Sequence, residues 1–362
     1  MKIGIILHPY GEDKPGGLAR TIFEWTKAML EIDSQNEYVI FLKNKPKVLP
    51  ELSGKNWRME TLGGGLFWKE KIRSFSGIDV HLFQTPVLPL LKPKNSIIIT
   101  QDYPYKYIKP KNIGDWFKYK LIYFYHKYSL RRADLIIAVS KSSKEDTMKF
   151  FNIPEKKIKV VYMGYKKICD VSESRVDLPE DFFLFVGVIK ERKNFFNIVK
   201  AFELFKKENP DNNYKLVVAG KTGNDYYKAV KKYIDDNNLS KEIIFLEYLN
   251  DSQLSYVYKR ARALVFPSIV ESFGFPVLEA MSCGIPVITT KYQGPSEIVK
   301  DAGILVDPND ILEISQAISK LIKDENIRND FIKKGYEKSR QFSWQKSAED
   351  ILRELRGLVD FR

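Results

Sequence analysis

Short, continuously apolar runs recur along the whole chain, most of them followed by a stretch with helical spacing, and no other feature constrains the fold as much. The first set comprises residues 3–7, 38–42, 80–83, 96–100, 135–139 and 159–162. A second set follows at 182–186, 215–219, 243–245, 263–266, 286–289 and 303–306. A strand that is apolar at nearly every position is buried on both faces, the condition of a parallel sheet covered by helices. Helical patterning lies between most runs, as at 18–30, 194–207, 253–260 and 311–323. The expected class is therefore α/β, with two doubly wound parallel sheets of about six strands each. Patterning lapses at 167–179, which predicts domains at 1–170 and 171–342. The last stretch, 343–358, reads as an amphipathic helix, so 343–362 is expected to pack back on the first domain.

Length agrees with two cores, since 362 residues exceed what one hydrophobic core ordinarily serves. No apolar run reaches the ~18 residues of a membrane-spanning helix. The apolar run after Lys2 is too short for a signal-peptide core and reads as a first strand, which implies a cytoplasmic location. Cys169 and Cys283 form no CxxC pair and no disulfide framework, and are expected as buried small apolar residues. The formal charge is +13, and residues 1–170, with 30 Lys and Arg against 17 Asp and Glu, carry all of it. A basic half attracts phosphates, anionic lipid or nucleic acid; a solvated lysine-rich surface has the same composition.

In open α/β sheets ligands bind beyond the carboxyl ends of the strands, so the strand-to-loop junctions matter most. After the first run, Pro15-Gly16-Gly17 precedes a long helix, where uncovered N–H groups suit an anion; two glycines there also make an ordinary turn. The spacing is not that of a dinucleotide fingerprint. After the run at 182–186 comes Gly187, then Lys190-Glu191-Arg192-Lys193-Asn194 ahead of a helix. Cations at that end of a strand neutralise a diphosphate, or simply solvate a loop. The most specific segment is Glu271-Ser272-Phe273-Gly274-Phe275-Pro276-Val277-Leu278-Glu279, two carboxylates separated by seven residues. Pro276 fits a first helical turn, which puts Glu279 on a helix and Glu271 in the loop before it. The N–H groups of Ser272, Phe273, Gly274 and Phe275 can meet a phosphate, and a carboxylate accepts two ribose hydroxyls well.

This segment resembles the EX7E motif of retaining GT-B glycosyltransferases, particularly family four. Its flanks agree, with Ala263-Leu264-Val265-Phe266-Pro267-Ser268 before it and Ala280-Met281-Ser282-Cys283-Gly284-Ile285-Pro286 after it. Arg192-Lys193-Asn194 resembles the family's phosphate-binding loop, Pro15-Gly16-Gly17 its N-terminal glycine loop, and Ala133–Ser140 and Ala302–Pro308 also match. The similarity covers nearly the whole chain. It implies the GT-B architecture, two Rossmann-like sheets facing across a cleft. It implies transfer of a sugar, a hexose such as mannose or glucose, from a nucleotide-diphosphate sugar with retention of configuration. No cofactor or metal is implied, and no Asp-x-Asp occurs in the chain. By residue, Glu279 would hold the ribose, Glu271 the donor sugar, Lys193 with Arg192 the diphosphate, and Gly16 and Gly17 would close over the donor or acceptor. Gly187, Ser272, Phe273, Gly274 and Phe275 would line the donor.

Two departures stand out. Many relatives carry a His-Asp pair where this chain has Gln101-Asp102; Gln101 cannot act as a base, which leaves Asp102 as a weak substitute. Many carry Arg directly after the glycine matching Gly187, where this chain has Val188; Arg192 is the candidate to compensate. Of the three histidines, His8 could line the cleft, while His81 and His126 read as structural.

Two stretches of the basic half, 66–75 and 116–127, mix aromatics with cations. Apolar body with basic edge suits a helix lying in a membrane interface, and equally a helix packed in a core. The expectation is peripheral association with the inner face of an anionic membrane, with a lipid-linked or cell-envelope glycan acceptor. Two other classes compete. A nucleotide-sugar epimerase or hydrolase would want dedicated acids and bases, which so few histidines supply poorly. A non-enzymatic nucleic-acid-binding protein would leave the neutral second half unexplained.

Overall fold

The computed structural model describes residues 1–8, 17–46, 51–65 and 67–360, the side chains of 17–20 excepted. The chain forms two compact units, residues 1–164 with 342–362 and residues 165–341.

In chain order the first unit holds β1 (Lys2–Ile6), α1 (Gly17–Ile32), β2 (Glu37–Leu42), β3 (Trp57–Thr61), β4 (Val80–Phe83), β5 (Ser96–Thr100), α2 (Ile113–Arg132), β6 (Leu135–Ala138), α3 (Lys141–Phe151) and β7 (Ile158–Val160). The strands are parallel and ordered β3-β2-β1-β4-β5-β6-β7. Among the described residues strand β3 pairs only with β2, at the sheet edge. Its sequence Trp57-Arg58-Met59-Glu60-Thr61 is half-exposed to exposed, so it lacks the apolar run that marks its neighbours.

The second unit holds β8 (Phe182–Val186), α4 (Phe195–Glu208), β9 (Lys215–Ala219), α5 (Asp225–Asp236), β10 (Ile243–Glu247), α6 (Asp251–Tyr258), β11 (Ala263–Phe266), α7 (Phe275–Ser282), β12 (Val287–Thr290), α8 (Gln293–Val299), β13 (Ile304–Val306), α9 (Ile311–Lys323) and α10 (Glu325–Ser339). Its sheet runs β10-β9-β8-β11-β12-β13, again parallel, the doubly wound dinucleotide-fold order. Phe182, Phe183, Leu184 and Phe185 of β8 are all buried, which is why this strand is central.

The final helix, α11 (Trp344–Asp360), returns to the first unit and packs on α1. Trp25 Nε1 donates to Ser347 Oγ at 2.6 Å, and the Trp25 and Trp344 rings meet edge to face at 5.8 Å. A side chain at Gly164 would bring its Cβ within 2.1 Å of the Trp344 nitrogen, so the chain can cross here only as glycine.

Two sequence expectations are corrected. Cys169 and Cys283 are not free apolar residues but a disulfide, with Cα atoms 5.4 Å apart. The short turn Ile168–Asp170 packs against α7, and Cys283 caps that helix. A separation of 114 residues carries no spacing signal for this meeting. The aromatic stretch at 66–75 does not form an interfacial helix. Trp68 and Ile72 are buried in the first unit's core with Phe83 and Leu88, because the turn Trp68–Ser74 lays its apolar side on the sheet; Leu66 lies outside the described residues.

Candidate active site

In the second sheet the direction of strand progression reverses between β8 and β11, and ligands of such sheets bind beyond the strand ends at that point. The loop leaving β8 begins at Gly187, whose φ of +145° disfavours any side chain. Its N–H donates to Ala219 O at 2.9 Å, and a Cβ on Gly220 would fall 1.9 Å from Gly187 O, so two bare peptides stack at the strand ends.

The loop then turns through Glu191–Lys193 into Asn194, which is left-handed at φ +60° and opens α4. Asn194 Nδ2 donates to Pro267 O at 3.0 Å and to Pro308 O at 2.5 Å, fastening the β8 loop to the loops that follow β11 and β13. The Arg192 carbonyl accepts from Ile269 N at 2.9 Å and Val270 N at 3.2 Å, while Arg192 Nη1 donates to Val270 O at 3.2 Å. These bonds deliver two cations to one carboxylate. The Lys193 ammonium pairs with the buried Glu271, and Arg192 Nη1 lies 3.9 Å from Glu271 Oε2. The Lys193 ammonium also stands 4.7 Å above the Phe266 ring. Both cations therefore face the carboxylate that the β11 loop presents.

The backbone of Glu271 is clamped from α8. Its N–H donates to Gln293 Oε1 at 2.7 Å, and Gly294 N donates to Glu271 O at 3.2 Å. A Cβ on Gly294 would sit 2.0 Å from Ser272 O, so α8 begins in direct contact with the loop. Sequence reasoning missed Gln293 and Gly294, since a lone Gln-Gly before a proline looks like any helix start.

Gly274 takes φ +99° and precedes α7, with Pro276 in its first turn. Phe273 is buried against Phe275, ring centroids 5.6 Å apart. Glu279 is buried on the same helix and accepts from the Tyr258 hydroxyl at 3.0 Å. Burial, and then the Glu279 carboxylate, hold Tyr258 protonated far above the usual phenol range, so it acts here as a fixed donor. The second unit thus gathers Gly187, Arg192, Lys193, Glu271, Ser272, Phe273, Gly274, Phe275 and Glu279 around the loops that leave its switch point.

The remaining candidates belong to the first unit. Gly16 lies outside the described residues, and Gly17 opens α1. Asp102 is half-buried in the loop after β5, between Gln101, whose carbonyl accepts from Ser143 Oγ at 2.9 Å, and the buried Tyr103. His8 packs edge to face on Trp68 at 5.2 Å. His81 and His126 are packed side chains; burial pushes each imidazole down to about 4. Among the described residues, no group of three or more His, Cys, Asp or Glu converges as metal ligands would.

Residues 15–166 match the family described as Glycosyltransferase Family 4, and residues 170–338 match Glycosyl transferases group 1. O-antigen chain mannosyltransferase B of Escherichia coli is 31% identical over 226 residues, 60% of this chain and 59% of that protein. O-antigen chain mannosyltransferase RfbU of Salmonella typhimurium is 30% identical over 235 residues, 65% of this chain and 62% of that protein. The chain thus spans about three fifths of the length of these curated relatives. Among solved structures, sucrose-phosphate synthase from Thermosynechococcus elongatus superposes with a TM-score of 0.77 at 18% identity, covering 100% of both chains. Anabaena HepE in complex with UDP-glucose gives 0.74 at 17% identity, covering 99% of this chain and 100% of that one. At such identities the likeness concerns the fold, which is GT-B. The chain belongs to the family-four, group 1 type of glycosyltransferases.

Proposed function

We propose that the protein transfers a hexose, mannose or glucose, from a nucleoside-diphosphate sugar to a lipid-linked or cell-envelope glycan, with retention of configuration. The observation that carries this proposal is the cluster beyond β8 and β11: Glu271 and Glu279 buried on one loop-helix segment, with Lys193 and Arg192 directed at Glu271. The mannosyltransferase names of the two bacterial relatives support the choice of sugar and a cell-surface glycan as acceptor.

The chemistry follows from where charge develops. The bond between the sugar's anomeric carbon and the β-phosphate oxygen breaks as the acceptor hydroxyl oxygen bonds to that carbon. The acceptor's proton passes to the departing phosphate oxygen, on the same face of the sugar. Negative charge grows on the diphosphate, so preorganised cations and N–H donors there stabilise the transition state more than the ground state. Lys193 and Arg192 are assigned to the diphosphate, with the N–H groups at Ser272–Phe275 beside them. Glu279, held by Tyr258, is assigned to the ribose hydroxyls, and Glu271 to the donor sugar. The cations do the neutralising work, so the reaction is proposed to need no metal. The first unit is assigned to the acceptor, and the site of action to the cytoplasmic side of the membrane.

The test is incubation with a panel of nucleotide sugars and a lipid-linked glycan fraction, read by mass spectrometry and by the anomeric proton of the product. A mass gain of one hexose on the acceptor, with the donor's anomeric configuration, is expected. Free sugar released at the same rate without acceptor would indicate a hydrolase, and an isomerised donor an epimerase; either sinks the proposal.

A further inference from the structure

Helix α2 carries an apolar face that nothing among the described residues covers. Ile113, Phe117, Leu121 and Phe124 recur four, four and three positions apart, so they share one side of the helix, and each is 62–75% exposed. The opposite side is spent on the core: Ser129 and Leu130 are buried, Ser129 Oγ accepts from Leu88 N at 3.0 Å, and His126 Nδ1 meets the Tyr105 hydroxyl at 2.9 Å. The helix is therefore apolar on both sides, and only one is used by the fold. The patch extends off the helix, because the Tyr128 hydroxyl donates to Leu90 O at 2.6 Å and brings exposed Leu90 and Leu91 alongside.

Charge identifies the occupant. Lys120 falls within the row of Ile113, Phe117 and Phe124, and Lys127 and Arg131 continue it toward the helix C-terminus, at the same alternation of three and four. On one flank a pocket of about 370 Å³ is lined by Tyr105, Lys106, Trp116, Tyr119, Lys120 and Tyr123. The Lys106 ammonium stands 4.3 Å above the Tyr123 ring and that of Lys120 stands 5.3 Å from the Trp116 ring centre. Neither forms an ion pair among the described residues. A second copy of this face would bring like charges together, and nucleic acid would leave the apolar stripe in water. Aliphatic and aromatic groups rimmed by unpaired ammonium groups match an anionic lipid leaflet, where acyl chains take the stripe and phosphate headgroups the lysines. No helix among the described residues is long and apolar enough to cross a membrane, so the contact is one of lying on the surface.

We infer that α2 docks this protein on an anionic phospholipid surface, with the Lys106–Lys120 pocket receiving a lipid phosphate. The surface belongs to the first unit alone and does not depend on how the donor site is read. The test is co-sedimentation of the full chain with phosphatidylcholine vesicles, pure or with about one third phosphatidylglycerol. Wild type should pellet only with the anionic vesicles. It should be released as salt rises from about 0.1 M to about 1 M, where the Debye length shrinks from ~10 Å to ~3 Å. Leu121→Ser with Phe124→Ser should weaken binding at least about tenfold, and Lys120→Glu with Lys127→Glu about fivefold or more per charge. These exposed substitutions should leave the melting temperature and the shift produced by a nucleoside diphosphate unchanged, which separates failure here from failure at the donor site. Equal pelleting with neutral vesicles, undiminished binding by the serine variant, or a serine variant altered only in its oligomeric state by sedimentation velocity would each overturn the inference.

Discussion

Removing the charge of Glu271 should make the protein less stable and bind a nucleoside diphosphate more tightly. The Lys193 and Glu271 side chains are each only 11% exposed, and Arg192 lies 3.9 Å from the same carboxylate. Glu271→Gln keeps the shape and the backbone clamp from Gln293 and Gly294, but removes the negative charge that Lys193 and Arg192 face. Breaking a buried pair from one side costs ~3–5 kcal/mol, because the remaining charge stays desolvated. The lower end applies here, since the cluster opens toward the loops. At ~2–4 °C per kcal/mol for a domain of this size, melting should fall by roughly 6–12 °C. The same two cations no longer have to leave a carboxylate when a diphosphate arrives. One such contact is worth ~4 kcal/mol before desolvation at an effective dielectric of ~20. A net gain of ~1.4 kcal/mol, about tenfold in affinity, is a modest share of it. Turnover should still drop, by ~10²–10³, if Glu271 meets the sugar in the transition state. Calorimetric titration with the cognate nucleoside diphosphate, thermal melting and turnover read the three effects separately. Unchanged melting together with weaker diphosphate binding would refute the reasoning, because the cations would then serve neither the pair nor the ligand.

Gly294→Ala places a Cβ 2.0 Å from Ser272 O, so the donor loop has to move; a loss of ~1–3 kcal/mol in urea unfolding and weakened nucleotide binding should appear together. Cys283→Ser, or reduction of the wild type, opens a loop spanning 114 residues and should cost ~2–4 kcal/mol; an unchanged unfolding midpoint under dithiothreitol would contradict this. Burial lowers His81 to about 4 from an ordinary 6.5, so its neutral form contributes fully above pH 6.5. As pH falls below 6.5 the unfolded chain takes the proton first, and stability should decline by roughly 3 kcal/mol until about pH 4. His126, lowered by burial to about 4, adds in the same window, and the His81→Phe variant should show a shallower decline.

The central strands of both sheets were legible because burial on two faces demands unbroken apolar runs, as in Phe182–Val186. The edge strand β3 was not, since half of its surface meets solvent and its residues are correspondingly mixed. Within the site, Glu271, Glu279, Arg192 and Lys193 were readable as charges placed at strand ends beside glycine. Their mutual pairing was not, because 78 residues separate Lys193 from Glu271 and only the sheet order brings them together. Gln293 escaped notice for a related reason: its role depends on φ +61° and on the neighbouring loop, neither of which a residue type encodes. The disulfide is the same kind of case. On α2 the mixture of aromatics and cations was visible in the sequence, but which aromatics turn inward is decided by contacts distant in sequence, such as those of Tyr123 with Phe150 and Phe151 of α3.

The most direct test of the central claim is a thermal-shift screen of UDP, GDP, ADP and CMP against wild type and Glu279→Ala. A ligand that binds only the native state must raise its melting temperature. One nucleoside diphosphate should stabilise the wild type and fail to stabilise the variant, fixing the donor base and the ribose contact together. If none raises the melting temperature at millimolar concentration, or if one raises both proteins equally, the Glu271–Glu279 segment is not the donor site.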